Sequence, residues 1–111
     1  SDVHKQRLER FSNLITEQHT MYGIKGSFEV HEDYQHLLDH KDIDGIVVST
    51  PDHWHAIPAI EAMKAGMHVY CEKPLSHTIN EGRMMEQAAR KYNRVLQTGS
   101  MQRSRDSFTK T

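Results

Sequence analysis

The run IDGIVVST, residues 43–50, constrains this chain more than any other stretch. It is continuous, apolar and rich in β-branched residues, which reads as a strand buried on both faces of a parallel sheet. A helical pattern follows, with Ala56, Ala59, Ile60 and Met63 on one side. Pro58 limits where that helix starts, because a proline is tolerated only in the first turn, where its missing N–H has no partner to lose. The helix is therefore expected to begin near His55 and leave Asp52, His53 and Trp54 in the connecting loop. Gly66 is a natural C′ residue to end it. HVYCE (68–72) reads as a second strand and KPLS as a loop. TINE, Thr78 to Glu81, is a capping box. It opens a helix with Ile79, Gly82, Met85, Ala88, Ala89 and Tyr92 at steps of three or four. RVLQTG reads as a third strand, and SRDSFTKT as the first turn of another helix.

The same reading applied upstream gives weaker elements. Val3, Leu8, Phe11, Leu14 and Ile15 have helical spacing, so a helix is expected from about His4 to Gln18. YGIKGS reads as a turn. SFEVHED alternates and is expected to form a short strand with Phe28 and Val30 on one face. Asp33 reads as the N-cap of a short helix through Tyr34, Leu37 and Leu38. Regular alternation of helix and strand predicts an α/β fold with a parallel sheet and flanking helices on both faces.

Composition removes several function classes. With 14 Lys and Arg against 15 Asp and Glu, the formal net charge is -1, which leaves no basic footprint for nucleic acid and no membrane steering. Apolar runs are far too short to span a bilayer. The single cysteine, Cys71, has no partner for an internal disulfide.

Ligands of open parallel sheets bind at the carboxyl ends of the strands. Three loops leave such ends: STPDHWH, CEKPLS and QTGSMQRS. All three carry chemically useful groups, whereas the intervening helices are ordinary. Structural readings compete at each position. Thr50-Pro51 can serve only to stop a strand, Trp54 can belong to the core, and His53 and His55 can be solvated. Glu72 and Lys73 can form a surface ion pair worth little; equally, Lys73 is a good proton donor when burial shifts its titration. The residues alone leave both readings open.

The stretch from Ser49 to Met85 resembles the glucose–fructose oxidoreductase/inositol dehydrogenase/MocA (Gfo/Idh/MocA) family. The resemblance is carried by T-P-x-x-x-H (Thr50, Pro51, His55), by A-G-x-H-V-x-x-E-K-P (Ala65 to Pro74) and by Q-x-G-x-x-x-R (Gln97, Gly99, Arg103). SDVHKQRLERF is also similar to the end of the family's second strand and the helix after it. The resemblance implies a Rossmann-type domain that binds NAD. In it, Asp2 matches the acid on the adenosine ribose, which favours NAD over NADP. Thr50, Pro51, Trp54 and His55 match the loop lining the dinucleotide. Glu72 and Lys73 match the pair at the nicotinamide ribose and reaction centre, with Lys73 as the catalytic group assisting proton transfer. Gln102 and Arg103 lie where the chain passes the cofactor. No metal is implied.

Two family features are absent from the sequence: the first strand with its G-x-G-x-x-G turn, and the second, substrate-binding α/β domain. The chain is therefore expected to be a fragment, inactive alone. Residues 1–103 would be a partial NAD-binding Rossmann domain, and 104–111 would begin the connection to the second domain. The implied parent is a cytoplasmic oxidoreductase, or an exported one, that forms a homo-oligomer and acts on a sugar or polyol. A glycosidase-like member of the same family, using NAD for a transient oxidation, is a second enzyme reading. It matches only in part, because Asp52 and Lys73 stand where those members have Trp and Val. A third class is a noncatalytic interaction or metal-binding fragment, with His53, His55, His68, Cys71 and Glu72 as possible zinc ligands; their spacing fits no strong motif.

Overall fold

The computed structural model describes residues 1–105. The chain divides into two compact units, Ser1–His40 and the part from Lys41 onward.

In the second unit the expected order is realised. Strand β1 is Gly45–Val48, helix α3 is Ala56–Ala65, strand β2 is His68–Cys71, helix α4 is Ile79–Lys91 and strand β3 is Leu96–Thr98; α1 and α2 belong to the first unit. The strands form one parallel sheet in the order β1-β2-β3, with Ile46 opposite Val69 and Val69 opposite Leu96. This is an α/β, Rossmann-like arrangement.

Both helices pack against the same side of the sheet. Val48, Val69 and Cys71 point towards them and are buried, as are Ala56, Ala59, Ala62 and Met63 of α3 and Met85 and Ala88 of α4. The alanines let α3 approach the strands closely, and Met63, Met67 and Met85 fill the gaps with flexible, polarizable chains. The opposite side shows Val47 and Tyr70 in register, and Val47 is 69% exposed. The expectation that the first strand is buried on both faces is thus corrected. Its pattern is that of a doubly covered strand, yet among the described residues of this unit only one face is packed. Among the described residues β1 also lies at an edge, paired with β2.

Local signals set the helix ends. Gly66 has φ 101°, the left-handed conformation that costs glycine nothing, and its N–H bonds back to Ala62 and Met63. The capping box forms in full: Thr78 Oγ1 accepts from Glu81 N at 3.2 Å and Glu81 Oε2 accepts from Thr78 N at 2.8 Å.

The first unit departs further from expectation. Helix α1 runs Lys5–Tyr22, four residues beyond Gln18, because nothing breaks it before Gly23. Helix α2 is the single turn Gln35–Leu38, and its N-cap is Tyr34 instead of the expected Asp33, whose carboxylate accepts from Gln35 N at 2.9 Å one residue earlier in the turn. The strand expected around Phe28 does not form. Residues 24–31 have no regular structure, since a two-residue alternation specifies a strand only where a neighbouring strand can pair with it. Phe28 instead meets the His19 ring edge-on at 5.8 Å. No residue of this unit is buried. The helix expected in SRDSFTKT lies largely outside the described residues; Ser104 closes a 3₁₀ turn, Met101–Ser104, and Arg105 is extended.

Candidate active site

The carboxyl ends of β1, β2 and β3 lie side by side, so the loops that follow them share one edge of the sheet. After β1, the chain makes a 3₁₀ turn over Asp52–Trp54 before α3 starts. Thr50 Oγ1 donates to Trp54 O at 2.9 Å and closes this loop on itself. Trp54 is about half exposed, so the core reading of that residue is set aside. Asp52 accepts from the His53 amide at 2.8 Å, and its carboxylate lies 3.5 Å from His77 Nδ1. The His53 amide, then the His77 ring, hold Asp52 below its ordinary titration range.

Among the described residues of the unit, His55 is the buried polar one, at 1% exposure. Its Nδ1 lies 2.7 Å from Pro74 O and its Nε2 2.8 Å from Thr50 O. One imidazole therefore ties the loop after β1 to the loop after β2. Both partners are carbonyl oxygens, so each bond requires a ring N–H, and a neutral ring has only one. Since both ring nitrogens are taken up by backbone, this side chain shapes the loops.

The loop after β2 carries Glu72 and Lys73, followed by Pro74 across a cis peptide bond. Glu72 N donates to Val48 O at 2.9 Å and Gly99 N to Cys71 O at 2.7 Å, which extends the ladder past the strands and fixes Glu72 beside Gly99. A Cβ on Gly99 would come within 2.9 Å of both Glu72 Oε2 and Tyr70 Oη. Glycine is thus what allows a carboxylate and a phenol to close over the third loop. Glu72 Oε2 also lies 3.2 Å from the Lys73 amide. The Lys73 side chain is exposed at this edge, and Gln102 and Arg103 are exposed in the turn after β3. Cys71 is fully buried, its Sγ 3.8 Å from Leu75 O; burial, with a smaller contribution from the Glu72 charge, pushes its thiol up to about 11.

The structure thus brings Thr50, Pro51, Trp54, His55, Glu72, Lys73, Gln102 and Arg103 onto loops at one sheet edge. Asp2 belongs to the first unit, where its carboxylate accepts from His4 N at 2.8 Å, at the start of α1, and lies 3.8 Å from Arg7. The five candidate zinc ligands are spread out: His68 opens β2, where its Nδ1 accepts from Val95 N, whereas Glu72 follows the strand's far end. Tyr70 was missed by sequence reasoning. Its position two before Glu72 on the same strand was the available signal.

A model of the oxidoreductase family with the NAD-binding Rossmann fold, GFO_IDH_MocA, matches residues 2–100. The chain belongs to the Gfo/Idh/MocA family. It is 36% identical over 93 residues to levoglucosan dehydrogenase of Pseudarthrobacter phenanthrenivorans, covering 84% of this chain and 23% of that protein. Over 48 residues it is 48% identical to a glycosyl hydrolase family 109 protein of a Shewanella species, covering 43% of this chain and 10% of that one. In fold it is similar to the WlbA dehydrogenase of Chromobacterium violaceum, solved with NADH and UDP-GlcNAcA. The TM-score is 0.74 at 25% identity, covering 97% of this chain and 28% of that structure. The chain thus spans about a quarter of the length of such dehydrogenases. None of its described helices is long and apolar enough to cross a membrane.

Proposed function

We propose that this chain is the nicotinamide-facing part of an NAD-dependent oxidoreductase that moves hydride between the cofactor and a sugar or polyol hydroxyl. The observation that carries the proposal is the Glu72–Lys73 pair on the carboxyl edge of the sheet, beside the close approach at Gly99. That edge suits a ribose: Glu72 presents a carboxylate that can accept from its hydroxyls, and Gly99, buried beneath, lets that carboxylate sit close over the third loop. NAD, when bound, supplies the hydride acceptor. Lys73 takes the proton from the substrate hydroxyl as the carbon gives up its hydride, so that an alcohol becomes a carbonyl; in the reverse direction Lys73 returns that proton. Trp54 offers an apolar surface at the loop mouth. Asp2 would meet the adenosine ribose and disfavour a 2′-phosphate, which makes NAD the preferred cofactor over NADP. A G-x-G-x-x-G turn, which holds a pyrophosphate in such folds, is not among these 111 residues.

The test is Lys73→Met in the complete enzyme that carries this chain. Turnover should fall by roughly 10²–10⁴-fold with NAD affinity unchanged, the range for losing a general acid–base group. Normal kcat with a raised KM would make Lys73 a binding residue instead. A second reading, NAD-dependent glycoside cleavage, is favoured by the similarity to the glycosyl hydrolase family 109 protein. Release of a free sugar from a glycoside, with no net NADH formed, would select it.

A further inference from the structure

The first unit holds a group of side chains that the proposed function does not use. Glu29, His31 and His40 converge so that one ligand atom from each lies within 4.8 Å of the others. His31 Nε2 is 3.2 Å and His40 Nε2 3.7 Å from the same oxygen, Glu29 Oε2. His31 Nε2 is shielded from solvent and makes no hydrogen bond of acceptable geometry. Its close approach to Glu29 Oε2 lacks hydrogen-bond geometry, so the atom is aimed into the cluster without being satisfied by it. The His36 ring lies 5.7 Å from that of His31. The flanking chain is held as well: His31 O accepts from Asp2 N at 3.3 Å, and Glu32 pairs with Lys5 at 3.3 Å.

We propose that Glu29, His31 and His40 bind a divalent first-row transition metal ion of the zinc type. Two imidazole nitrogens and one carboxylate oxygen are a donor set suited to such ions. Bonds of about 2.0–2.2 Å arranged tetrahedrally put donor atoms roughly 3.3 Å apart, close to the two separations from Glu29 Oε2. Only the two histidines need to draw together, through movement of side chains that are not buried. Water completes the coordination. The bound ion clips together the two ends of the segment 29–40, which otherwise has no buried residue to hold it.

The experiment uses the complete enzyme that carries this chain, untagged and stripped with chelator. Zinc is titrated by calorimetry, and cobalt(II) serves as a spectroscopic probe. One equivalent should bind, cobalt should develop the visible absorption of a four-coordinate site, and amide exchange should slow across residues 29–40. His31→Ala and His40→Ala should each weaken zinc by more than the 10–100-fold typical of losing a group that only hydrogen-bonds to a ligand. Glu29→Gln should weaken it too, without altering the far-ultraviolet circular dichroism of the metal-free chain. The double variant His53→Ala, His77→Ala should leave the affinity unchanged. Absence of stoichiometric binding, or affinity that follows His53 and His77 instead of His31 and His40, would overturn the proposal.

Discussion

Replacing His55 by phenylalanine is the sharpest probe of how the two loops are held. The substitution keeps a planar ring, a larger one, at a position that is 1% exposed. It removes the donors that face Thr50 O at 2.8 Å and Pro74 O at 2.7 Å. A carbonyl left unsatisfied costs at most about 1–3 kcal/mol, less where water reaches it, and Thr50 and Pro74 are exposed residues. A neutral imidazole serves one carbonyl and a doubly protonated one serves both, so the loss is at most one or two such terms, up to about 6 kcal/mol. Phenylalanine is also the larger side chain, so crowding at this buried position adds roughly 1–3 kcal/mol in the same direction. Urea denaturation followed by tyrosine and tryptophan emission measures the change. Amide exchange locates it, and residues 72–76 should open faster while α4 does not. If His55→Phe were as stable as the parent to within 0.5 kcal/mol, with residues 72–76 equally protected, the tie between the loops would not exist.

Two further perturbations separate stability from function. Gly99→Ala should move Glu72 and Tyr70 but cost little stability. The clashing atoms are side-chain ends, and the alanine recovers about 0.4–1 kcal/mol by restricting the unfolded chain. Nuclear magnetic resonance shifts at Glu72 and Lys73 should change while the urea midpoint hardly does, and a midpoint falling by several kcal/mol would show a rigid contact instead. Cys71 titrates near 11 in the fold against 9.0 for the free thiol, so the folded state holds its proton longer. Its contribution is therefore complete below pH 9 and is lost between about 9 and 11, on the order of 2–3 kcal/mol in all. Denaturation curves of the parent and Cys71→Ala at pH 8 to 11 should diverge in that window, and parallel curves would place the thiol in contact with solvent.

Legibility followed the range of the interactions. The capping box at Thr78, the stop at Gly66 and the limit set by Pro58 depend on residues within a few positions, and all were readable. The end of α1 was equally local, and Gly23 marked it, but the apolar spacing fades after Ile15 and drew the boundary too early. The strand around Phe28 failed because a strand is made by its neighbour, and no pairing partner is written into the segment itself. The open side of β1 was hidden for the same reason: IDGIVV records what a sheet is built to have on both faces, not which helices are present to cover them. Among the site residues, the loops after β1, β2 and β3 were predictable from strand polarity. The burial of His55 was not, since its partners are backbone carbonyls five and nineteen positions away. Nor was the meeting of Glu29 with His31 and His40, which depends on the irregular path between them.

The central claim is that the nicotinamide end of NAD lies on the carboxyl edge of β1, β2 and β3. Hydrogen exchange of the complete enzyme, with and without NADH, tests it most directly. Protection within this chain's second unit should gather in residues 50–55, 72–76 and 99–104, with α4 from Arg83 to Lys91 unaffected. Saturating NADH that leaves those three loops exchanging as before, or that protects α4 instead, would contradict it.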